Sequence, residues 1–336
     1  MRKHIFFWEI MIWSIFLFNH CLAQDDFPIL KGPYLGQKLP GMTPKIFAPG
    51  FICTGMEEIA STFYPDGKEF YYTVNLNGLG AIVMTKIVND QWSAPEVASF
   101  SGKYLDSDPF VQPDGLKFFF ISNRPLDNNS TLSESHNMWV MEREGNRWSE
   151  PKPVGPPING NGNLSGPSVT RTGVIYFSRT LKDGWSGIFR SKYLNGKYGE
   201  PEKLPEAVNS TTAQFHACIS PDESFLIVSV VGRKDSIGST DYYVTFRNNL
   251  DEWSNLVNLG DTVNTSKPEF SPALSPDGKY FFFQSFTKRF KYFEKSLKYS
   301  EIKNMFNNPG NGNCDIYWVD IQVITNLKPK ENEKNN

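Results

Sequence analysis

Three carboxylates, Glu58, Asp106 and Glu269, each stand seven residues ahead of a proline that opens a turn, at Pro65, Pro113 and Pro276. Leu164 and Gln214 hold the same place ahead of two degenerate turns, at Arg171 and Pro221. Two residues further on come Ala60, Asp108, Gly166, His216 and Ser271. Carboxylates gathered at one mouth could act as general acid and base on a glycoside, or as oxygen ligands for calcium. They could equally bond loop amides or pair with Arg124 and Arg179, which with Asn123 end the strands that return to the same face. Beyond residue 20 the only histidines are His136 and His216, so a three-histidine zinc centre is excluded. No G-x-S-x-G, H-E-x-x-H or phosphate-cradling glycine loop occurs. His216 reads as a hydrogen-bonded wall residue or a base. Trp185, in the loop Lys182-Asp183-Gly184-Trp185-Ser186-Gly187, could stack on a sugar ring or anchor its loop.

The elements that must position these groups are announced by the turns themselves. Pro65-Asp66-Gly67, Pro113-Asp114-Gly115 and Pro276-Asp277-Gly278 each precede an aromatic burst: Phe70-Tyr71-Tyr72, Phe118-Phe119-Phe120 and Tyr280-Phe281-Phe282-Phe283. Proline presets φ for the turn and Asp-Gly supplies its positive-φ corner. The unbroken aromatic run suits a strand buried on both faces. The five turns are spaced by 48, 58, 50 and 55 residues, which signals one supersecondary unit repeated around a ring. Third strands follow at Asn137-Met138-Trp139-Val140, Gly187-Ile188-Phe189, Asp241-Tyr242-Tyr243-Val244 and Asp315-Ile316-Tyr317-Trp318. Fourth segments begin at Trp92, Trp148, Tyr198 and Trp253, and the three tryptophans mark packing between outer strands. Four strands per unit predict an all-β propeller of five blades, with six blades as the alternative. Blade five lacks its fourth strand, and the unpartnered 45–52 segment can supply it by pairing with residues 315–324, which removes the open edge. Closure brings Cys53 beside Cys314, so a Cys53–Cys314 disulfide is expected, against two free thiols. Cys218 reads as a small buried hydrophobe.

Composition agrees. Of 336 residues 15% are aromatic and 21% charged, with 26 Gly and 23 Pro. A net charge of −2 argues against a nucleic-acid or anionic-membrane binder. Residues 1–23 read as a signal peptide: basic Arg2-Lys3-His4, an apolar run too short to span a bilayer, and a small residue before Gln24. Residues 24–44 form a lead segment, 45–325 the propeller and 326–336 a disordered tail. A long insertion over 286–313 carries Lys288, Arg289, Lys291, Lys295 and Lys298, with a short helix expected over 296–306.

The motif Ser275-Pro276-Asp277-Gly278-Lys279-Tyr280-Phe281-Phe282 and its copies resemble the TolB-like β-propeller repeats of exported bacterial proteins. The resemblance covers about 46–324, although the copies at Arg171 and Pro221 depart from it and TolB itself has six blades. It implies an exported, periplasmic or extracellular propeller; the family includes binding scaffolds, interaction modules and some enzymes. Two functions follow. One is a non-catalytic module binding a protein or glycan through the funnel face, with no required cofactor and calcium as an option. The other is a carbohydrate-active enzyme, a glycosidase or lyase, using the acidic arc.

Overall fold

The computed structural model describes residues 27–127, 132–160, 162–286 and 295–329. The expected signal peptide, the Lys288, Arg289 and Lys291 positions and most of the tail lie outside the described residues. Five four-stranded antiparallel blades form a ring; the six-blade alternative does not hold. Blade one runs Glu57–Phe63, Glu69–Leu76, Leu79–Val88 and Glu96–Val97. Blade two runs Asp106–Val111, Lys117–Ser122, Asn137–Glu144 and Lys152–Pro153. Blade three has Asn163–Val169, Ile175–Thr180, Ser186–Ser191 and Glu202–Lys203. Blade four has Gln214–Ile219, Phe225–Val231, Thr240–Phe246 and Val257–Asn258. Blade five joins Ala273–Leu274, Tyr280–Ser285 and Asp315–Asp320 to the N-terminal strand Lys45–Ile46.

That last pairing closes the ring as expected, with Lys45 opposite Trp318 and Ile46 opposite Tyr317. The turns also form as their residues require. Asp66, Asp114 and Asp277 each accept a bond from the backbone N–H two residues on, and Gly67, Gly115 and Gly278 take φ of 71°, 75° and 69°. The aromatic runs are continuous because successive side chains serve different interfaces. Phe118 and Phe120 pack with Tyr71 and Ile82 between blades one and two. Phe119 and Ile121 pack with Ile175 and Phe177 between blades two and three. The helix in the insertion spans Tyr299–Phe306. No helix among the described residues is long and apolar enough to cross a membrane.

One joint recurs where the chain leaves a blade for the next. Asn159, Asn209 and Asn264 each use Oδ1 to accept from, and Nδ2 to donate to, one residue of the preceding third strand: Met138, Ile188 and Tyr242, at 2.7–3.0 Å. At the closing joint Cys53 takes this place. Its Sγ accepts from the Ile316 N–H at 3.2 Å and donates to the Ile316 carbonyl at 3.4 Å. Cys53 and Cys314 are therefore both free thiols, and the expected disulfide is corrected: the Cys53 side chain is turned onto the backbone of the closing strand. Cys218 is buried, also as a thiol.

Candidate functional site

The acidic arc expected at the channel mouth does not exist. Glu58, Asp106 and Glu269 are fully buried and hold the loops that enter their own blades. Glu58 Oε1 accepts from the Thr54 N–H and hydroxyl at 3.1 and 2.6 Å. Glu269 Oε1 repeats this with Thr265 at 3.1 and 2.5 Å, and Gln214 Oε1 with Thr211 at 2.5 and 2.9 Å. Asp106 accepts from Arg124 at 2.7 Å and Ser101 at 2.8 Å. The three carboxylates therefore do not face the channel mouth, where a shared ligand was expected to meet them.

The reason lies two residues on. Ala60, Asp108, Gly166, His216 and Ser271 all adopt left-handed backbone, with φ of 43°, 52°, 56°, 47° and 57°. The strand registers of the first four blades shift at this point. Such a bulge adds one residue, and a one-residue slip reverses which side chains face the axis. The seventh residue before the turn therefore points between blades, while the sixth and fifth line the channel.

Other candidates are spoken for as well. Arg124 also donates to the Phe100 carbonyl and lies among Tyr104, Phe120 and Trp139. Arg179 donates to the Ile158 carbonyl and sits on Phe177 and Phe189. Asn123 accepts the Leu105 N–H. Trp185 packs edge-on to Phe189 with the Lys203 ammonium 3.9 Å from its ring centre, and a side chain at Gly187 would strike it. The loop-anchor reading of Trp185 fits this packing.

Burial has a measurable consequence at Glu269. It pushes this carboxyl up to about 8, helped by Asp241 and opposed by the Thr265 bonds. The folded pKa exceeds the ordinary unfolded one, so the unfolded chain ionises first and stability falls as pH rises from about 4.5 towards 8. Between pH 5 and pH 7 the loss should be roughly 2 kcal/mol. Glu269→Gln, which copies Gln214, should remove this contribution in urea melts at the two pH values. An unchanged pH slope would show the carboxyl ionised when folded.

What the structure does bring together is Asp108 and His216. His216 Nε2 lies 3.3 Å from Asp108 Oδ2, which also accepts the Gly166 N–H at 2.9 Å. Blades two and four meet over blade three because Gly166 has no side chain: a Cβ there would lie 2.8 Å from His216 Cα. Burial alone would raise the Asp108 pKa, but the facing imidazole and the Gly166 N–H outweigh it and hold it below the usual carboxylate value. Phe270 stacks on His216 at 5.6 Å, and Phe215 meets it edge-on at 5.4 Å. Above them opens a funnel of about 490 Å³, lined also by His136, Ser107, Ser165 and Ser186. The five left-handed residues also line a smaller cavity of about 30 Å³.

No family model and no curated protein matches the chain. Among solved structures it is similar to TolB from Acinetobacter baumannii, at 18% identity and TM-score 0.47 over 68% of this chain and 49% of that one. It is similar to putative TolB from Agrobacterium tumefaciens at 14% identity and TM-score 0.47, over 79% and 90% of the two chains. An α-L-arabinofuranosidase from Lactobacillus brevis shares 11% identity at TM-score 0.44, over 79% and 90%. The chain spans about half the length of the Acinetobacter protein. The fold is read from the chain's own five blades, and no family is shown.

Phe215, Phe270 and Ser165 were not singled out from the sequence, and His136 only as one of two histidines. Counting six residues back from each turn would have found the first three.

Proposed function

We propose that the protein is a non-catalytic binding module that takes a glycan in its funnel. The observation that carries this is the Asp108–His216 pair, held rigid by Gly166 and flanked by the Phe215 and Phe270 rings and several hydroxyls. Aromatic faces beside fixed hydrogen-bonding groups are the usual means of holding a sugar ring. Glycoside cleavage by paired carboxylates needs two of them across the pocket. Asp108 is the only carboxylate lining this funnel among the described residues. Export through residues 1–23 is part of the same reading and would place the funnel where glycans are met.

A glycan array followed by titration calorimetry tests it. We expect binding without turnover, weakened at least ~10-fold in Phe215→Ala with the circular dichroism spectrum retained, as loss of ~1.4 kcal/mol of stacking implies. Turnover of any bound glycoside would overturn the reading, and so would affinity untouched by Phe215→Ala. Capture of a peptide array in place of glycans would overturn the ligand class.

A further inference from the structure

The closing joint differs from the others in chemistry as well as position. Where three joints use asparagine, this one uses Cys53, whose two backbone bonds are longer than any of theirs. Sulfur is a weak donor and a weak acceptor. The exchange therefore forfeits hydrogen bonding and supplies a soft ligand.

Two carboxylates share its surroundings. One ligand atom each from Cys53, Glu58 and Asp315 lie within 4.8 Å of one another, and all three residues are buried. Glu58 uses Oε1 on Thr54, while its Oε2 is sealed from solvent with no hydrogen-bond partner. The neighbouring joint is an internal comparison. There Glu269, whose Oε2 is likewise without a partner, faces Asp241 beside Asn264; the Asp241 carboxylate accepts from the Ile237 and Gly238 N–H groups much as Asp315 Oδ2 accepts from the Gly310 N–H at 2.7 Å, so the closing joint is set apart by Cys53 standing where the other has asparagine. The insertion covers the closing joint: Asn311 and Asn313 donate to the Gly55 carbonyl, and a side chain at Gly55 would strike Phe306.

We propose that Cys53, Glu58 and Asp315 bind a zinc ion that fastens the ring at its closing joint. One sulfur with two carboxylate oxygens is a donor set for zinc, whereas calcium and magnesium take oxygen alone. The ion would tie the linker (Cys53), blade one (Glu58) and blade five (Asp315), the three segments that meet only when the chain closes. Binding expels the thiol proton, and any proton on Glu58, to solvent, so affinity rises with pH.

The repeat itself supplies conservative variants. Cys53→Asn installs the residue of three other joints, and Glu58→Gln installs that of blade four, so both preserve the local hydrogen bonding. The full-length protein, purified with its thiols reduced, is loaded with zinc, desalted and assayed by metal mass spectrometry. We expect one zinc per chain, a higher melting temperature with zinc than after chelation, and binding weaker by ~100-fold or more in either variant with native circular dichroism. Cobalt in place of zinc should show a thiolate charge-transfer band that Cys53→Asn lacks. Wild-type protein that retains no metal would overturn the proposal, as would variants that bind zinc like wild type. Recovery of a Cys53–Cys314 disulfide from protein isolated without reductant would overturn it too.

Discussion

Replacing Arg124 by methionine should cost about 3–5 kcal/mol at neutral pH, the range for orphaning one member of a buried ion pair. Asp106 is fully buried, and Arg124 Nη2 lies 2.7 Å from its Oδ1. Without the guanidinium, Ser101 alone would face a carboxylate sealed from water. Methionine keeps most of the contact with Phe120 and Trp139, so the loss reports electrostatics more than volume. The double variant Asp106→Asn, Arg124→Met carries no orphaned charge and should recover more than half of the loss. Urea unfolding of the four members of the cycle measures this. A single-variant cost below about 1 kcal/mol would place the pair with exposed bridges and deny it a structural role. Arg124 would then be available to a ligand, which its present contacts do not allow.

Phe47→Ala should cost a comparable 3–5 kcal/mol, and its effect should be concentrated at the closing joint. Phe47 is fully buried, with ring centres 5.1–6.1 Å from Phe63, Phe70, Phe282 and Trp318. Those four belong to blades one and five, so this single side chain joins both sides of the closure. Phe119→Ala, equally buried between blades two and three, is the control. Both variants should lower global stability. In hydrogen exchange, only Phe47→Ala should selectively speed exchange at Phe47 and along Asp315–Asp320. Equal exchange in the two variants would mean that the ring opens as one unit with no weaker joint.

Much of the fold was legible because its signals are local. A Pro-Asp-Gly turn followed by an aromatic run fixes a hairpin and a doubly buried strand, and three of them with two degenerate copies fix the repeat. Closure was legible too, since the 45–52 segment had no other partner. The facing of the inner strands was not. The left-handed residue in each falls on Ala60, Asp108, His216 and Ser271, and only Gly166 carries the glycine that would announce it. Four ordinary residues held at positive φ by the strands around them leave no mark in the sequence, yet they decide which carboxylates see solvent. The joint was readable and overlooked. Ile158-Asn159, Val208-Asn209 and Val263-Asn264 align with Ile52-Cys53, and that alignment would have placed Cys53 against backbone before Cys314 was considered as its partner.

The pairing of Lys45–Ile46 with Asp315–Asp320 also orders events in time. Synthesis delivers the closing strand before every other blade strand and its partner after them all. Until Trp318 emerges, the nascent chain can stack blades but leaves an unpaired outer edge on blade five. The Phe63 and Phe70 face of blade one meanwhile stays bare, and such surfaces invite association between chains. The final step is a contact between segments near opposite ends of the propeller, the kind whose loop entropy makes folding slow. A cellular factor that shields these surfaces would therefore act on a nearly complete ring with one gap.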